Sequence, residues 1–164
     1  MSKLKHIQEK ILSQDHLKAR LNVWRLQDKK IVFTNGCFDL IHLGHIDYLA
    51  KAADLGDKLI VGLNSDQSTR EIKGPNRPIT DEKSRSLLLA SFSFVDAVVL
   101  FDEETPLELI KLVNPDILVK GADYTIDQIV GSDIVIQNGG SVQTLEYLPG
   151  YSTTLIEQKI RSFK

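Results

Sequence analysis

The stretch Asn35-Gly36-Cys37-Phe38-Asp39-Leu40-Ile41-His42-Leu43-Gly44-His45 decides the fold. The apolar run Ile31–Thr34 before it is typical of a buried strand, and helix-periodic residues follow it from Ile46 to Leu55. The stretch therefore lies where a first strand turns into a first helix. In an α/β sheet that turn is at the carboxyl end of the strands, where ligands bind. The free backbone N–H groups at the start of a helix favour a phosphate there.

From residue 30 onward, strand-like and helix-like segments alternate, which predicts an α/β fold. We expect a doubly wound parallel sheet of about five strands with helices on both faces. The predicted strands are 31–34, 58–63, 95–101, 116–119 and 142–148. The predicted helices are 45–55, 65–72, 80–92 with Thr80 as its cap, 105–113, 131–138 and 152–161.

Residues 1–29 are predicted to form an N-terminal helical extension to a domain that spans residues 30–164. Apolar residues recur there at helical spacing in two segments, and Asp15 is the expected cap of the second segment. Such a stripe is typical of a helix that packs on its own domain or on a partner subunit, so a homodimer is a possible assembly.

Composition indicates a soluble protein of one domain. The chain has 164 residues, a net charge of −2 and a single cysteine, Cys37, so no intrachain disulfide can form. This cysteine usage suits a reducing cytoplasm. We expect no signal peptide, and no apolar run approaches the ~18 residues that a membrane span needs. We therefore expect a cytoplasmic protein with neither a membrane nor a nucleic-acid partner.

His42 and His45, three residues apart around Gly44, are the candidate catalytic pair. Zinc is one alternative ligand, but zinc sites need three or four protein ligands, and only Cys37 and Asp39 are close in sequence. A purely structural role is a second alternative. We expect no direct metal ligand from the protein.

Gly36 and Gly44 favour a phosphate site, because they remove side chains where a polyphosphate approaches the backbone. In nucleotidyl transfer, imidazole N–H groups can stabilise negative charge on the α-phosphate and on departing pyrophosphate. An attacking phosphate is already an anion and needs no general base. The sequence has no Rossmann dinucleotide fingerprint, no P-loop and no nucleophile elbow, and it leaves the protonation state of the histidines open.

Four further segments carry groups suited to phosphate or sugar. Each also has a plainer explanation as a solvated loop, a turn or a helix cap. Lysine and arginine in the loop 73–78 suit a phosphate clamp, and hydroxyls at the start of the last helix suit a phosphate. The candidate residues are Lys73, Arg77, Lys120, Gly121, Asp123, Ser152, Thr153 and Thr154, with Asn64 and Asp66 as candidate sugar ligands.

Together these motifs resemble the signature of the cytidylyltransferase-like nucleotidyltransferases, Rossmann-like enzymes with an H-x-G-H motif. The closer resemblance is to the adenylyltransferase domain of bacterial heptose enzymes, and it runs from about Lys30 to the C-terminus. The segments that carry it are Thr34–Asp39, His42–His45, Lys73-Gly74 with Arg77-Pro78, Val119–Tyr124, Asn138–Gly140 and Ser152–Thr154.

The resemblance implies that His42 and His45 hold the ATP phosphates and stabilise the transition state. It implies that Lys73 contacts phosphate, that Lys120 contacts ATP or the sugar phosphate, and that residues 152–154 bind the triphosphate. Magnesium is expected to enter with ATP. The turn residues expected to bind the nucleotide are Gly36, Cys37, Phe38, Asp39 and Gly44.

The implied reaction is transfer of AMP from ATP to a sugar 1-phosphate, with D-glycero-β-D-manno-heptose 1-phosphate as the expected acceptor. Tyr151 departs from the small residue or cysteine expected before S-T-T, and Glu157 stands where the wider superfamily often has arginine. Without a kinase domain before the site, a free-standing version is expected. The alternatives are a cytidylyltransferase acting on a polyol or alcohol phosphate such as glycerol 3-phosphate, and a non-catalytic nucleotide-binding module.

Overall fold

The computed structural model describes residues 2–163 and contains a five-stranded sheet in the order β3-β2-β1-β4-β5. All neighbouring strands are parallel. The predicted doubly wound parallel sheet is therefore confirmed, and the strand order reverses on either side of β1. The strands are β1 Ile31–Gly36, β2 Lys58–Asn64, β3 Ala97–Phe101, β4 Ile117–Gly121 and β5 Ser141–Leu145.

Helices cover both faces of the sheet, because successive strand residues point to opposite sides and both sides are apolar. Phe33 and Ile60 belong to one buried cluster, together with residues of α2, α6 and α7. Val32 and Val61 belong to the other, with residues of α3 and α5. The helices are α1 Lys3–Gln8, α2 Gln14–Leu26, α3 Leu43–Ala53, α4 Asp66–Lys73, α5 Glu82–Ser91, α6 Leu107–Val113, α7 Ser132–Gln137 and α8 Thr153–Arg161.

Several predicted boundaries were wrong by one to three residues. Helix α3 begins at Leu43 with His42 as its N-cap. Ser13 caps α2, so the predicted cap, Asp15, lies in the first turn. Asp81 rather than Thr80 caps α5. Strand β5 ends three residues earlier than predicted, and α4 includes the lysine that was expected to begin the following loop.

The N-terminal helices pack on the sheet rather than standing apart from it. Leu17, Leu21 and Trp24 of α2 are buried in the core cluster. Ile11 forms a parallel bridge with Val98 of β3, which covers an otherwise open sheet edge. The division into residues 1–29 and 30–164 stays a prediction. Among residues 2–163, no helix has both the length and the apolar character that crossing a membrane requires.

Candidate active site

A cleft of about 1100 Å³ opens at the carboxyl ends of β1, β2 and β4, where the strand order reverses. Most of the residues singled out from the sequence line this cleft. Those lining it are Gly36, Cys37, Phe38, Asp39, His45, Asn64, Lys73, Arg77, Lys120, Gly121, Asp123, Thr153 and Thr154. Those beside it but outside the lining are His42, Gly44, Asp66 and Ser152.

The two histidines form one stacked unit at the start of α3. Their ring centroids are 3.9 Å apart and their planes differ by 22°. The Nδ1 atoms of both rings are buried and have no hydrogen-bond partner. His42 is the N-cap of α3, yet no side chain caps the helix, so the N–H groups of Leu43 and Gly44 have no side-chain acceptor. This arrangement offers donors to an anion from both the rings and the backbone.

Both histidines favour the neutral form. Burial lowers the pKa of His42 from its ordinary value. Burial also lowers the pKa of His45 to about 4, and the adjacent His42 adds to this effect while Asp39 opposes it. At neutral pH each ring therefore has one N–H donor and one acceptor nitrogen. Burial thus favours the neutral form of both rings, a question that the sequence left open.

Asp39 holds the loop around the histidines in place. Its carboxylate accepts hydrogen bonds from the N–H of Ile79 at 2.8 Å and of Thr80 at 3.0 Å, and from the Thr80 hydroxyl at 2.9 Å. Arg77 donates a further bond at 3.0 Å. Burial alone would raise the pKa of Asp39, but these donors together hold it below its usual value. The carboxylate is ionised at neutral pH, and both of its oxygens have protein partners.

Arg77 connects three segments of the cleft wall. One guanidinium nitrogen pairs with Asp39, and the other lies 2.7 Å from the Glu157 carboxylate on α8. The Thr153 hydroxyl, one position into α8, donates to the backbone carbonyl of Asp39 at 2.9 Å. Glu157, which stands where the wider superfamily often has arginine, is therefore the partner of Arg77. Helix α8 is attached to the cleft wall at two points, through Glu157 and through Thr153.

The two candidate lysines have different environments. Lys73 is exposed at the end of α4, with its side chain free to reach into the cleft. Lys120 is largely enclosed, and burial lowers its pKa to about 8 although Asp123 and Cys37 oppose the shift. Its ammonium lies 5.8 Å from the ring centroid of Tyr124. Lys120 is mostly charged at neutral pH, and both lysines face the same cleft.

Of the two residues expected to bind sugar, Asn64 lines the cleft and Asp66 does not. Asn64 is buried at the end of β2, lines the cleft and donates to the Ser68 hydroxyl at 2.9 Å. The Asp66 carboxylate is 2.7 Å from Arg85, outside the cleft lining. A sugar in the cleft would meet Asn64 before Asp66.

Two glycines are needed because protein side chains pack against them. A Cβ at Gly44 would lie 3.0 Å from the His42 ring and 3.2 Å from the Tyr151 Cβ. A Cβ at Gly121 would lie 2.0 Å from the Tyr147 hydroxyl. The sequence analysis explained Gly44 by the approach of a polyphosphate, whereas its nearest neighbours in the structure are the His42 ring and the Tyr151 Cβ.

Sequence reasoning missed several features that shape the cleft, among them the backbone conformation of Phe38, a residue that it had placed in the nucleotide site. Phe38 and Leu40 have positive φ angles of 45° and 49°, unusual for bulky residues and typical of constrained functional loops. Tyr147 packs against Tyr48, with ring centroids 5.7 Å apart, beside the lysine of β4. Arg85 is fully buried. Its position four residues before the buried Leu89 placed a charge on the core side of α5, a signal the sequence did contain.

The cleft fits a metal that arrives bound to phosphate better than one held by the protein. Among residues 2–163, no three histidine, cysteine or acidic side chains converge to hold an ion. Asp39, the carboxylate beside the histidine pair, already has protein donors on both oxygens. Within the part of the chain that the structure describes, the protein groups beside the histidines thus offer a divalent cation no ready set of ligands.

Comparison with known proteins agrees with this geometry. A family model described as cytidylyltransferase-like matches residues 33–159. The bifunctional protein HldE of Methylobacillus flagellatus is 49% identical over 154 residues, which cover 94% of this chain and 32% of that protein. HldE of Campylobacter jejuni subsp. doylei is 53% identical over 157 residues, with coverages of 96% and 32%. The chain spans about a third of the length of these curated relatives.

Solved structures share the architecture. The lipopolysaccharide core biosynthesis protein of Thermoplasma volcanium superposes with a TM-score of 0.61 at 32% identity, covering 73% of this chain and 97% of that one. Pantoate–β-alanine ligase of Francisella tularensis superposes with a TM-score of 0.58 at 15% identity, covering 92% and 76%. The second likeness is one of fold alone.

Proposed function

The chain belongs to the cytidylyltransferase-like family, and from this membership and the geometry of the cleft we propose that it is an adenylyltransferase acting on a sugar 1-phosphate. A phosphate oxygen of the acceptor attacks the α-phosphorus of ATP in line. The bond from that phosphorus to pyrophosphate breaks, which yields an ADP-sugar. The observation that carries the proposal is the stacked pair of His42 and His45, whose buried Nδ1 atoms have no partner at an uncapped helix start.

The histidines would act by binding charge rather than by moving protons. The attacking group is a phosphate anion, so the reaction needs no general base. Neutral imidazoles can donate N–H bonds to oxygens of the α-phosphate and of the departing pyrophosphate. Donors fixed before the reaction stabilise the charge that develops in the transition state without reorganisation, and this is usually a large contribution to rate.

The cationic and hydroxyl groups around the pair would hold the rest of the substrates. Lys73 and Lys120 reach the cleft from opposite sides of β1 and are proposed to contact phosphate groups. Thr153 and Thr154 line the cleft at the start of α8, where backbone N–H groups favour the triphosphate. Asn64 is proposed to contact the sugar, and Arg77 is proposed to act mainly through its pairing with Asp39.

Magnesium would be supplied with ATP, bound by the oxygens of the triphosphate. It would neutralise the charge of the leaving pyrophosphate. The single free cysteine and the need for ATP suit a reducing, ATP-containing compartment such as the cytoplasm. A homodimer stays a prediction of the sequence.

D-glycero-β-D-manno-heptose 1-phosphate is the proposed acceptor because of similarity rather than cleft geometry. The K-G-A-D-Y and S-T-T segments resemble those of heptose adenylyltransferase domains, and the HldE relatives are about half identical over almost the whole chain. One solved relative, the Thermoplasma volcanium protein of 32% identity, is a lipopolysaccharide core biosynthesis protein.

The test is to measure pyrophosphate release with magnesium, ATP or CTP, and a panel of acceptors. The panel contains both anomers of the heptose 1-phosphate, other sugar 1-phosphates and glycerol 3-phosphate. We expect release with ATP and the β-anomer of the heptose. Release with CTP and glycerol 3-phosphate would replace this proposal by the cytidylyltransferase alternative. Tight ATP binding without release from any acceptor would indicate a non-catalytic nucleotide-binding module.

A further inference from the structure

Arg85 is a fully buried arginine that makes no contact expected of a substrate ligand. Its guanidinium donates to the Cys37 carbonyl at 2.6 Å and to the Asn64 carbonyl at 2.8 Å. It also donates to the Thr80 carbonyl at 3.0 Å and to the Asp66 carboxylate at 2.7 Å. One side chain therefore satisfies four acceptors on three segments, which are the loop after β1, the β2–α4 junction and the loop before α5.

These acceptors sit at the points that set the shape of the cleft. Cys37 belongs to the loop that carries the strained Phe38 and ends at the catalytic pair. Asn64 is the last residue of β2. Thr80 is bound by Arg85 through its carbonyl and by Asp39 through its N–H and hydroxyl. The guanidinium thus fixes the ends of the two central strands relative to each other and to the loop before α5.

Burying this charge is costly, which makes a purely stabilising role a poor explanation. Asp66 is its only carboxylate partner among the described residues, and that carboxylate is itself a quarter exposed. An apolar side chain of similar size often stabilises a core as well as a buried ion pair does. A planar fork of donors, in contrast, can hold several carbonyls at fixed angles at once.

We propose that Arg85 is a positioning residue for catalysis, which holds the histidine-bearing loop at the end of β1 against the end of β2. This inference depends on the proposed nucleotidyl transfer for its kinetic readout. The residue acts through the backbone of Cys37 and Asn64 and touches no substrate atom. Its loss is expected to displace the donors of His42 and His45 from the reacting phosphate rather than to remove a binding contact.

Arg85→Lys tests the proposal, because it keeps the charge but cannot reach four acceptors with one nitrogen. A displacement of about 1 Å at the reacting atoms can cost about a hundredfold in rate. We expect kcat to fall by about 10- to 100-fold while the KM for ATP changes by less than about threefold. Amide hydrogen exchange should become faster across residues 36–42.

Arg25→Lys is the control for the substitution. The Arg25 guanidinium also donates to backbone carbonyls, those of Val113 and Asn114, but it lies on α2, away from the cleft. It is more exposed than Arg85, so the unfolding midpoint of both variants is measured as well. We expect wild-type kcat and wild-type exchange over residues 36–42 in Arg25→Lys.

Asp66→Asn is the second variant, for the case in which Arg85→Lys does not fold. It keeps the size of the side chain but weakens the charge-assisted bond to Arg85. A fall in kcat of about 3- to 10-fold at nearly constant KM, with faster exchange at residues 36–42, is expected. Wild-type kcat and exchange in this variant would overturn the proposal, as would an equal effect of the two arginine substitutions.

The proposed function and the positioning role fail in different ways. If the wild-type protein releases no pyrophosphate with any acceptor, the proposed reaction is wrong. Hydrogen exchange over residues 36–42 then still decides the role of Arg85. Exchange in Arg85→Lys that matches the wild type and Arg25→Lys would reject it, and faster exchange confined to that loop would support it.

Discussion

The amino edge of the sheet, where the strands begin, and the carboxyl edge, where they end, differ in whether their polar groups have hydrogen-bond partners. At the amino edge, three aspartates each accept a hydrogen bond from the N–H group of a residue at or next to the start of a strand. The pairs are Asp57 with Lys30 at 2.9 Å, Asp96 with Leu59 at 2.9 Å and Asp116 with Ile31 at 2.7 Å. At the carboxyl edge, His42, His45 and Asn35 each keep a buried side-chain atom without a partner.

This difference separates groups that stabilise the fold from groups that are kept for a ligand. A buried polar atom without a partner costs about 1–3 kcal/mol, so a folded chain retains few of them. Three such atoms lie at one edge, beside a helix start without a side-chain cap, so this edge keeps polar groups that the described residues do not satisfy. Substitutions at the amino edge should therefore lower stability more than rate. Substitutions at the carboxyl edge should lower rate more than stability.

The largest effect is expected from the histidine pair. His42→Ala should lower kcat by about 100- to 1000-fold, the loss typical of removing one donor to a developing oxyanion. The KM for ATP should change much less, because the contact strengthens in the transition state. Pyrophosphate release under saturating substrates measures the first quantity, and the ATP dependence of the initial rate gives the second.

The stability of His42→Ala completes this test. Its free energy of unfolding should fall little, since the lost Nδ1 has no hydrogen bond to break. An equal loss in kcat and in ATP affinity would assign His42 to ground-state binding. A large loss of stability with unchanged kcat would place the histidine among the structural residues instead.

The second prediction concerns pH and the folded state. The pKa of His45 is about 4 in the folded chain because of burial, whereas an unfolded histidine titrates near about 6.5. As pH falls from the higher value to the lower, the unfolded chain binds a proton that the folded chain does not. Stability from this group is fully present above about pH 6.5 and is lost toward pH 4.

The size of this loss can be measured against His45→Gln. After allowance for partial exposure, we expect the wild type to lose about 2 kcal/mol more stability than the variant between pH 7 and pH 4. Urea unfolding at several pH values gives both free energies. A difference between the two proteins that does not change with pH would show that His45 titrates normally in the folded chain.

How well the sequence predicted these features depended on how local their causes are. Alternating buried segments set the sheet, since β1 to β4 are apolar on both faces. The predicted caps Asp15 and Thr80 were close but wrong, because Ser13 and Asp81 cap those helices. The sequence also predicted that the candidate site residues gather at the carboxyl edge, because parallel strands all end on that side of the sheet. Lys73 and Lys120, 47 positions apart in sequence, come to one cleft for this reason.

Contacts between distant segments could not be predicted in the same way. Thr80 was a reasonable cap by composition, but its hydroxyl is engaged by Asp39, and Asp81 takes the cap. The pairing of Arg77 with Glu157 joins residues 80 positions apart, and only the fold brings them together. The sequence also contains no pattern that places the Tyr147 ring over Gly121.

A third prediction sharpens the comparison at the amino edge. Asp96 pairs with Lys58 at 2.8 Å and accepts from the Leu59 N–H. Asp96→Ala leaves that N–H without an acceptor and the Lys58 ammonium without its carboxylate, so the free energy of unfolding should fall by about 1–3 kcal/mol. The kcat of the folded enzyme should stay within about twofold of wild type, because the cleft lies at the other edge. A loss of kcat without loss of stability would contradict the division between the edges.

The smallest expected effect is at the attachment of α8. Glu157→Gln keeps the size of the side chain but removes the charge that pairs with Arg77, so kcat/KM should fall by about two- to threefold. Glu108→Gln is the control, because it removes an exposed pair with Lys111 outside the cleft and should leave the rate unchanged. Steady-state rates of both variants decide the matter. Equal rates in the two variants would mean that α8 is held by the Thr153 hydroxyl on the Asp39 carbonyl rather than by the ion pair.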